Sequence, residues 1–365
     1  MDFPEKSMKK KLKNELRIKI KDKIIGPGQP CFIIAEMSGN HNQSLERAKK
    51  LIEMAAEAKV DAVKLQTYTP DTITLNSDKE YFQVKVNDAW KGKTLYKLYG
   101  EAYTPWEWQA ELKKYAESLG LILFSTPFDQ TAVDFLESLE VSLYKVASFE
   151  VVDIPLLEKI GKTKKPVIMS RGMSSKEELE LAMKTLKKNG APSVAVLQCV
   201  SSYPAKPEEM NLNTIRDISE KFKVVAGLSS HTLDSRVASL AVASGASIIE
   251  QHFTLARADG GPDAAFSLEP NELKELVKTV RQTEIIMGKP FYGAGEKEKE
   301  SIVFRKSLFT SAPVKKGEKF TTKNVRSVRP GNGLAPKFLK QILGKKAKKD
   351  IDFAEPLDWG MVEKK

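Results

Sequence analysis

The chain has 365 residues, 41% hydrophobic and 29% charged, enough for a real core and for more than one folded unit. No apolar run approaches the length of a membrane-spanning helix, and two cysteines, Cys31 and Cys199, exclude a disulfide framework or a cysteine-rich zinc site. The net charge is +11, but residues 297–365 carry +10 and residues 1–23 carry +5, so the body between them is mildly acidic at −4.

The N-terminus MDFPEKSMKKKLKNEL is charged where a secretion signal would be apolar, which predicts a cytoplasmic protein with both cysteines as buried thiols. Residues 17–25, RIKIKDKII, alternate charged and apolar and read as an edge strand or hairpin. After Gly26-Pro27-Gly28, eight short apolar runs follow: 31–38, 62–68, 121–128, 143–148, 166–172, 193–200, 224–232 and 248–254. Segments of helical period lie between them, for example 44–59, 175–190 and 234–245, with 270–288 after the last run. Ser44 is placed as an N-cap, and 175–190 opens as a capped helix and stops at Gly190. Eight strand–helix repeats over about 250 residues predict an α/β fold, a (β/α)8 TIM barrel. An open doubly wound sheet is the competitor, but no G-x-G-x-x-G follows the first strand and no P-loop string occurs. The expected organisation is a basic segment and edge hairpin at 1–30, the barrel at 31–288, a polar linker at 289–304 and a small β-rich module at 305–365. That module is marginal alone and should lean on a partner.

In such a barrel the chemistry sits at the C-terminal ends of the strands. The runs end in Glu36, in Lys64 and Gln66, in Ser125 and Thr126, in Lys145, Ser148 and Glu150, in Ser170 and Arg171, in Ser201 to Tyr203, in Ser229 to His231, and in Glu250 and His252. All three histidines, His41, His231 and His252, fall at strand ends; the last two come from adjacent strands and can converge on a divalent ion such as Mn²⁺, Fe²⁺ or Mg²⁺. Lys64 and Lys145 interrupt apolar strands, which is costly unless they meet an anion; with the neighbouring hydroxyls they suit phosphate or carboxylate. Glu36 and Glu150 are acid–base candidates, and Asp263, in the Gly/Pro-rich loop 257–270, is a candidate for substrate hydroxyls. The basic ends admit a nucleic-acid or polysaccharide binder as an alternative class, but no recognition-helix or aromatic-plus-basic motif supports it.

The strings IAEMSGNHN (34–42), DAVKLQTYTPDT (61–72), STPFD (125–129), YKVASFE (144–150), SSYPA (201–205), GLSSHT (227–232), EQHFTL (250–255) and GGPDAAFSLEP (260–270) resemble the sialic-acid synthase family. VRPGNGLAP (328–336) resembles that family's SAF, or antifreeze-like, β-clip domain. The resemblance runs from about residue 17 onward, and YTPWEW (103–108) with the loop 257–270 is closest to its pseudaminic-type members. It implies condensation of phosphoenolpyruvate with the open-chain aldehyde of an acetamido sugar, a 2,4-diacetamido-2,4,6-trideoxy hexose, with N-acetylneuraminate or legionaminate synthesis as alternatives. It further implies a divalent metal, Mn²⁺ or Mg²⁺, on His231 and His252, and Glu36 near the reacting carbon. Lys64, Gln66, Thr126, Lys145, Ser148, Ser170 and Ser229 match phosphoenolpyruvate contacts, and Glu150, Tyr203 and Asp263 match positions near the sugar. Arg329 matches an arginine reaching the other subunit's site, which implies a domain-swapped homodimer. Three positions depart from the family pattern. Ser230 and Gln251 replace Asp and Lys, as a matched neutral pair if those two meet in relatives; Arg171 replaces Thr and is expected near the phosphate or in a βα loop.

Overall fold

The computed structural model describes residues 16–85 and 90–363; most of the basic N-terminal segment lies outside the described residues. The chain divides after Gly288 into two compact units. No helix among the described residues is long and apolar enough to cross a membrane.

The first unit opens with an antiparallel hairpin, β1 (Ile18–Ile20) and β2 (Lys23–Ile25). Eight parallel strands follow: β3 (Phe32–Glu36), β4 (Ala62–Thr67), β5 (Ile122–Pro127), β6 (Tyr144–Val146), β7 (Val167–Ser170), β8 (Val194–Cys199), β9 (Val225–Ser230) and β10 (Ile248–His252). They pair in sequence order, and β10 returns to β3 to close the barrel. The main helices are α1 (Leu45–Glu57), α2 (Trp106–Ser118), α3 (Gln130–Ser138), α4 (Ile154–Lys162), α5 (Lys176–Lys188), α6 (Asn213–Phe222), α7 (Ser235–Ala243) and α8 (Pro270–Met287); two short ones lie between β4 and α2.

Local chemistry sets the ends of several helices. Ser44 accepts the Arg47 amide before α1, and Ser175 and Glu178 form a reciprocal capping box before α5. Asp129, Asp153 and Asp234 cap α3, α4 and α7 in the same way.

Both faces of these strands are buried, which explains their nearly continuous apolar runs. The period of two divides them. Ile33, Ala35, Val63, Leu65, Val167, Met169, Val196 and Leu228 pack with the helices in the outer core. Phe32, Ile34, Ala62, Phe124, Leu143, Ile168, Leu197 and Ile248 form the inner core. Ile18, Ile20 and Ile25 belong to that inner cluster, so the hairpin, expected at an edge, is a separate two-stranded sheet packed on the barrel interior. Gly227 is required by packing, since a Cβ there would lie 2.4 Å from the Ile248 carbonyl oxygen and 2.7 Å from Leu197.

The second unit pairs β11 (Ser307–Thr310) with β12 (Val325–Val328) around Leu308, Val314, Phe320, Ile342, Ile351 and Leu357. A short helix, Leu339–Ile342, belongs to this unit. Residues 289–304 belong to this compact unit, and the Val303 carbonyl accepts the Gly331 amide at 2.8 Å.

Candidate active site at the barrel mouth

Each inward row, continued past its apolar residues, ends in a polar one. Glu36 follows Phe32 and Ile34, Lys64 follows Ala62, Lys145 follows Leu143, Ser170 follows Ile168, and Glu250 and His252 follow Ile248. Closure of the barrel then brings these side chains together above the inner core.

A buried charge network results. Lys64 Nζ lies 2.5 Å from Glu36 and 3.7 Å from Glu250, and donates to Thr126 Oγ1 at 3.2 Å. Lys145 Nζ donates to Ser170 Oγ at 2.8 Å and to Glu250 Oε1 at 3.2 Å. Ser229 Oγ donates to the same Glu250 oxygen at 3.0 Å. Burial opposes ionisation of Glu250, but Lys145 and Lys64 together hold its carboxyl below the usual range. Burial drives the Glu36 carboxyl up, with Lys64 opposing, and lowers Lys145. Two ammonium groups and three hydroxyls around one small volume are the chemistry of a phosphate or carboxylate site.

Gln66 faces the other side of Glu36. Its amide donates to Glu36 Oε1 at 3.1 Å and to Ser38 Oγ at 3.0 Å, and Ser38 in turn donates to Asp263. The loop after β10 is thereby tied to the turn that follows β3, and burial raises the Asp263 carboxyl. Ser148 Oγ and Ser201 Oγ share a hydrogen bond of 2.8 Å beside Gly172, whose backbone has φ +47° and no room for a Cβ against Ser148. Glu150 has a buried carboxyl oxygen without a hydrogen-bond partner, and burial lifts its pKa to about 7.

The rings of His231 and His252 lie 5.1 Å apart. His231 Nδ1 meets the Val200 carbonyl at 2.9 Å, a contact that orients the ring, and the Cys199 thiol hydrogen-bonds the same imidazole. His252 Nδ1 is buried with no hydrogen-bond partner, and desolvation, then His231, push its pKa well below the ordinary value. Two imidazoles with an orphaned buried nitrogen suit a divalent ion whose remaining ligands are water or substrate oxygen. Among the described residues no cluster of three or more His, Cys, Asp or Glu side chains could hold a metal by itself.

His41 lies apart from this pair. Its Nε2 contacts Thr104 Oγ1 at 3.2 Å, its Nδ1 accepts the Gln43 amide, and burial lowers its pKa to about 4. Arg171 points away from the phosphate region, because the preceding inward position is Ser170; its Nε donates to Gln198 at 2.7 Å and its side chain lines a groove between α5 and α6. Ser230 and Gln251 are register partners across β9 and β10, and Gln251 donates to the Thr232 carbonyl. The His231 ring meets the Val200 backbone carbonyl rather than the side chain of Ser230. Arg329 belongs to the second unit, on the exposed turn after β12.

Two parts of the site were not legible in the sequence as ligand positions. Glu250 sits between both lysines, and the signal was only its inward parity two residues before His252. Trp90 comes from the long connection between β4 and α2; its ring lies 5.5 Å from that of Tyr203, and no periodicity marks it.

Comparison with known proteins gives the family frame. Residues 51–292 match the NeuB family and residues 305–363 match the SAF domain. The chain is 45% identical to a pseudaminic acid synthase of Campylobacter jejuni over 90% of this chain and 96% of the relative. It is 42% identical to a pseudaminic acid synthase of Helicobacter pylori over 92% and 99%. Among solved structures, an N-acetylneuraminic acid synthetase of Leptospira borgpetersenii superposes with a TM-score of 0.70 at 33% identity, covering 78% of this chain and 95% of that one.

Proposed function

Because the chain belongs to the NeuB family and ends in a SAF domain, we propose that it condenses phosphoenolpyruvate with the open-chain aldehyde of a 2,4-diacetamido-2,4,6-trideoxy hexose to give pseudaminic acid. The observation that carries the reading is the buried pair Lys64 and Lys145, set among hydroxyls beside two histidines at one barrel mouth. Phosphoenolpyruvate carries a phosphate and a carboxylate, and a buried lysine is tolerated where an anion meets it.

In this reading Lys64, Lys145, Thr126, Ser148, Ser170 and Ser229 hold the phosphate and carboxylate. The methylene carbon of phosphoenolpyruvate bonds to the aldehyde carbon, and the aldehyde oxygen takes a proton. Water adds to the neighbouring carbon, the one bearing phosphate, and loses a proton; the C–O bond to phosphate then breaks, leaving a ketone as phosphate departs. Glu36, positioned by Gln66 and Lys64, handles the proton of the water, and Glu150 serves the acceptor side. Tyr203 and Asp263 contact the sugar, the second through a loop that Ser38 ties down. A divalent ion, Mn²⁺ or Mg²⁺, held by His231 and His252, would supply Lewis-acid polarisation of the aldehyde oxygen. Arg329 would reach the barrel of a second copy in a domain-swapped homodimer, as the family resemblance implies.

The test is phosphate release from phosphoenolpyruvate with a panel of acceptors. The diacetamido trideoxy sugar should give the highest kcat/KM, and a chelator should abolish turnover. A higher value with N-acetylmannosamine would replace the acceptor by the N-acetylneuraminate alternative; full activity in chelator would remove the metal.

A further inference from the structure

The connection from β4 to α2 spans residues 68–105, far longer than a barrel loop needs, and Gln83 and Thr94 bridge its two limbs. Trp90 stands between them. Its indole Nε1 donates to the Pro262 carbonyl at 2.6 Å. Its ring lies 5.5 Å from Tyr203, and Tyr203 lies 4.4 Å from His231 and 5.2 Å from Phe266. The mouth therefore has an aromatic wall in layers: His231 innermost, Tyr203 next, Trp90 outermost. Pro262 precedes Asp263, which Ser38 holds. One directional hydrogen bond and one ring contact thus fix Trp90 to both elements on the sugar side. An indole held by its N–H presents its face in one orientation, apolar and rigid.

We propose that Trp90 is a specificity-determining residue: its indole is the outer wall against which the C6 methyl end of the deoxy acceptor packs. The inference rests on the acceptor assignment above. With the aldehyde at the histidines, the far end of an open-chain sugar passes Tyr203 and reaches Trp90. A methyl group gains by leaving water against the ring, whereas a hydroxymethyl group there loses a hydrogen-bond partner. One such group is worth roughly ten- to a hundredfold in selectivity.

The experiment compares the diacetamido trideoxy sugar with its own 6-hydroxy analogue, by phosphate release, in wild type, Trp90→Ala, Trp90→Leu and Trp90→Phe. Wild type should favour the deoxy sugar by about tenfold or more. Trp90→Ala should erase most of that ratio by raising KM for the deoxy sugar, with KM for phosphoenolpyruvate within about twofold and Trp90→Phe restoring much of the preference. If Trp90→Ala does not fold, by circular dichroism, the Leu and Phe variants carry the comparison. An unchanged ratio in every folded variant, or equal losses on both sugars, would overturn the role of Trp90. A wild type that uses neither diacetamido sugar and turns over N-acetylmannosamine would overturn the acceptor assignment instead; Trp90 then loses its methyl partner.

Discussion

Burial lifts the Glu150 carboxyl to about 7, so this side chain changes charge near neutrality while one of its oxygens has no partner. Two measurements follow from that position. In activity, kcat against pH should show an inflection near 7 that Glu150→Gln removes, together with much of the rate; an inflection that survives the substitution would assign it to another group. In stability, the folded value lies above the ordinary 4.5, so the contribution is complete below 4.5 and is lost as pH rises through about 7. Glu150→Gln, permanently uncharged, should therefore be more stable than wild type above pH 7, by about 2 kcal/mol after discounting for partial exposure, and equal to it in acid. Thermal melts at the two pH extremes check the sign. The same scale shows what parity in a strand reveals. Lys64, Lys145 and Glu36 were legible as site residues because a charge inside an apolar run is costly unless an opposite charge or a ligand meets it. Glu250 was legible as a polar strand end but not as their partner, since nothing within its own strand says that two lysines from other strands converge on it.

At the level of elements, β9 ends at Ser230 and leads directly into His231, while β10 carries Glu250 and His252, so the separation of the two strands sets the distance between the two imidazoles. Gly227 lets β9 approach Ile248 at the base of that pair. Gly227→Ala would press a methyl group on a backbone oxygen at 2.4 Å, which cannot swing aside as a flexible side chain would. The variant should lose about 1–3 kcal/mol of stability, read as a lowered denaturation midpoint, and should lose activity even where it is fully folded. Wild-type stability and turnover would mean that the strands separate without cost. Helix ends were legible in the sequence because caps are short-range: Ser44, Ser175 and Glu178 act on amides within three residues. The connection 68–105 has such marks too, Thr94 capping Leu95–Ala102 and Thr69 with Thr72 opening Pro70–Ile73, but a local cap gives no warning that Trp90 reaches the loop after β10.

For the whole molecule, the uneven charge follows the division of the chain. The strongly basic stretch from residue 297 falls within the second unit, whose core is a single small cluster around Leu308, Phe320 and Ile351. A domain of that size gains by docking, and Arg329 stands exposed on one of its turns. Mixing two inactive proteins, Arg329→Ala and Glu36→Ala, tests the proposed exchange of that domain between copies. Subunit exchange should rebuild one site with both residues intact and recover up to about a quarter of wild-type activity, if half the molecules become mixed dimers with one good site each. No recovery, with exchange verified by mass spectrometry, would place each arginine on its own barrel or on none.

The sequence by itself determined the eight strand–helix repeats, the caps of α1 and α5, the polar strand ends and the two-histidine pair, all of them patterns written within a few residues or repeated along the chain. Tertiary structure alone decided that the first hairpin packs its isoleucines on the barrel interior, that His41 spends both ring nitrogens on its own surroundings, and that Arg171 turns outward to Gln198. It also decided that Glu250 meets both lysines and that Trp90 meets Tyr203. The physical reason is closure. Which side chains face each other across a barrel depends on the register of all eight strands at once, and no local stretch of the chain carries that information.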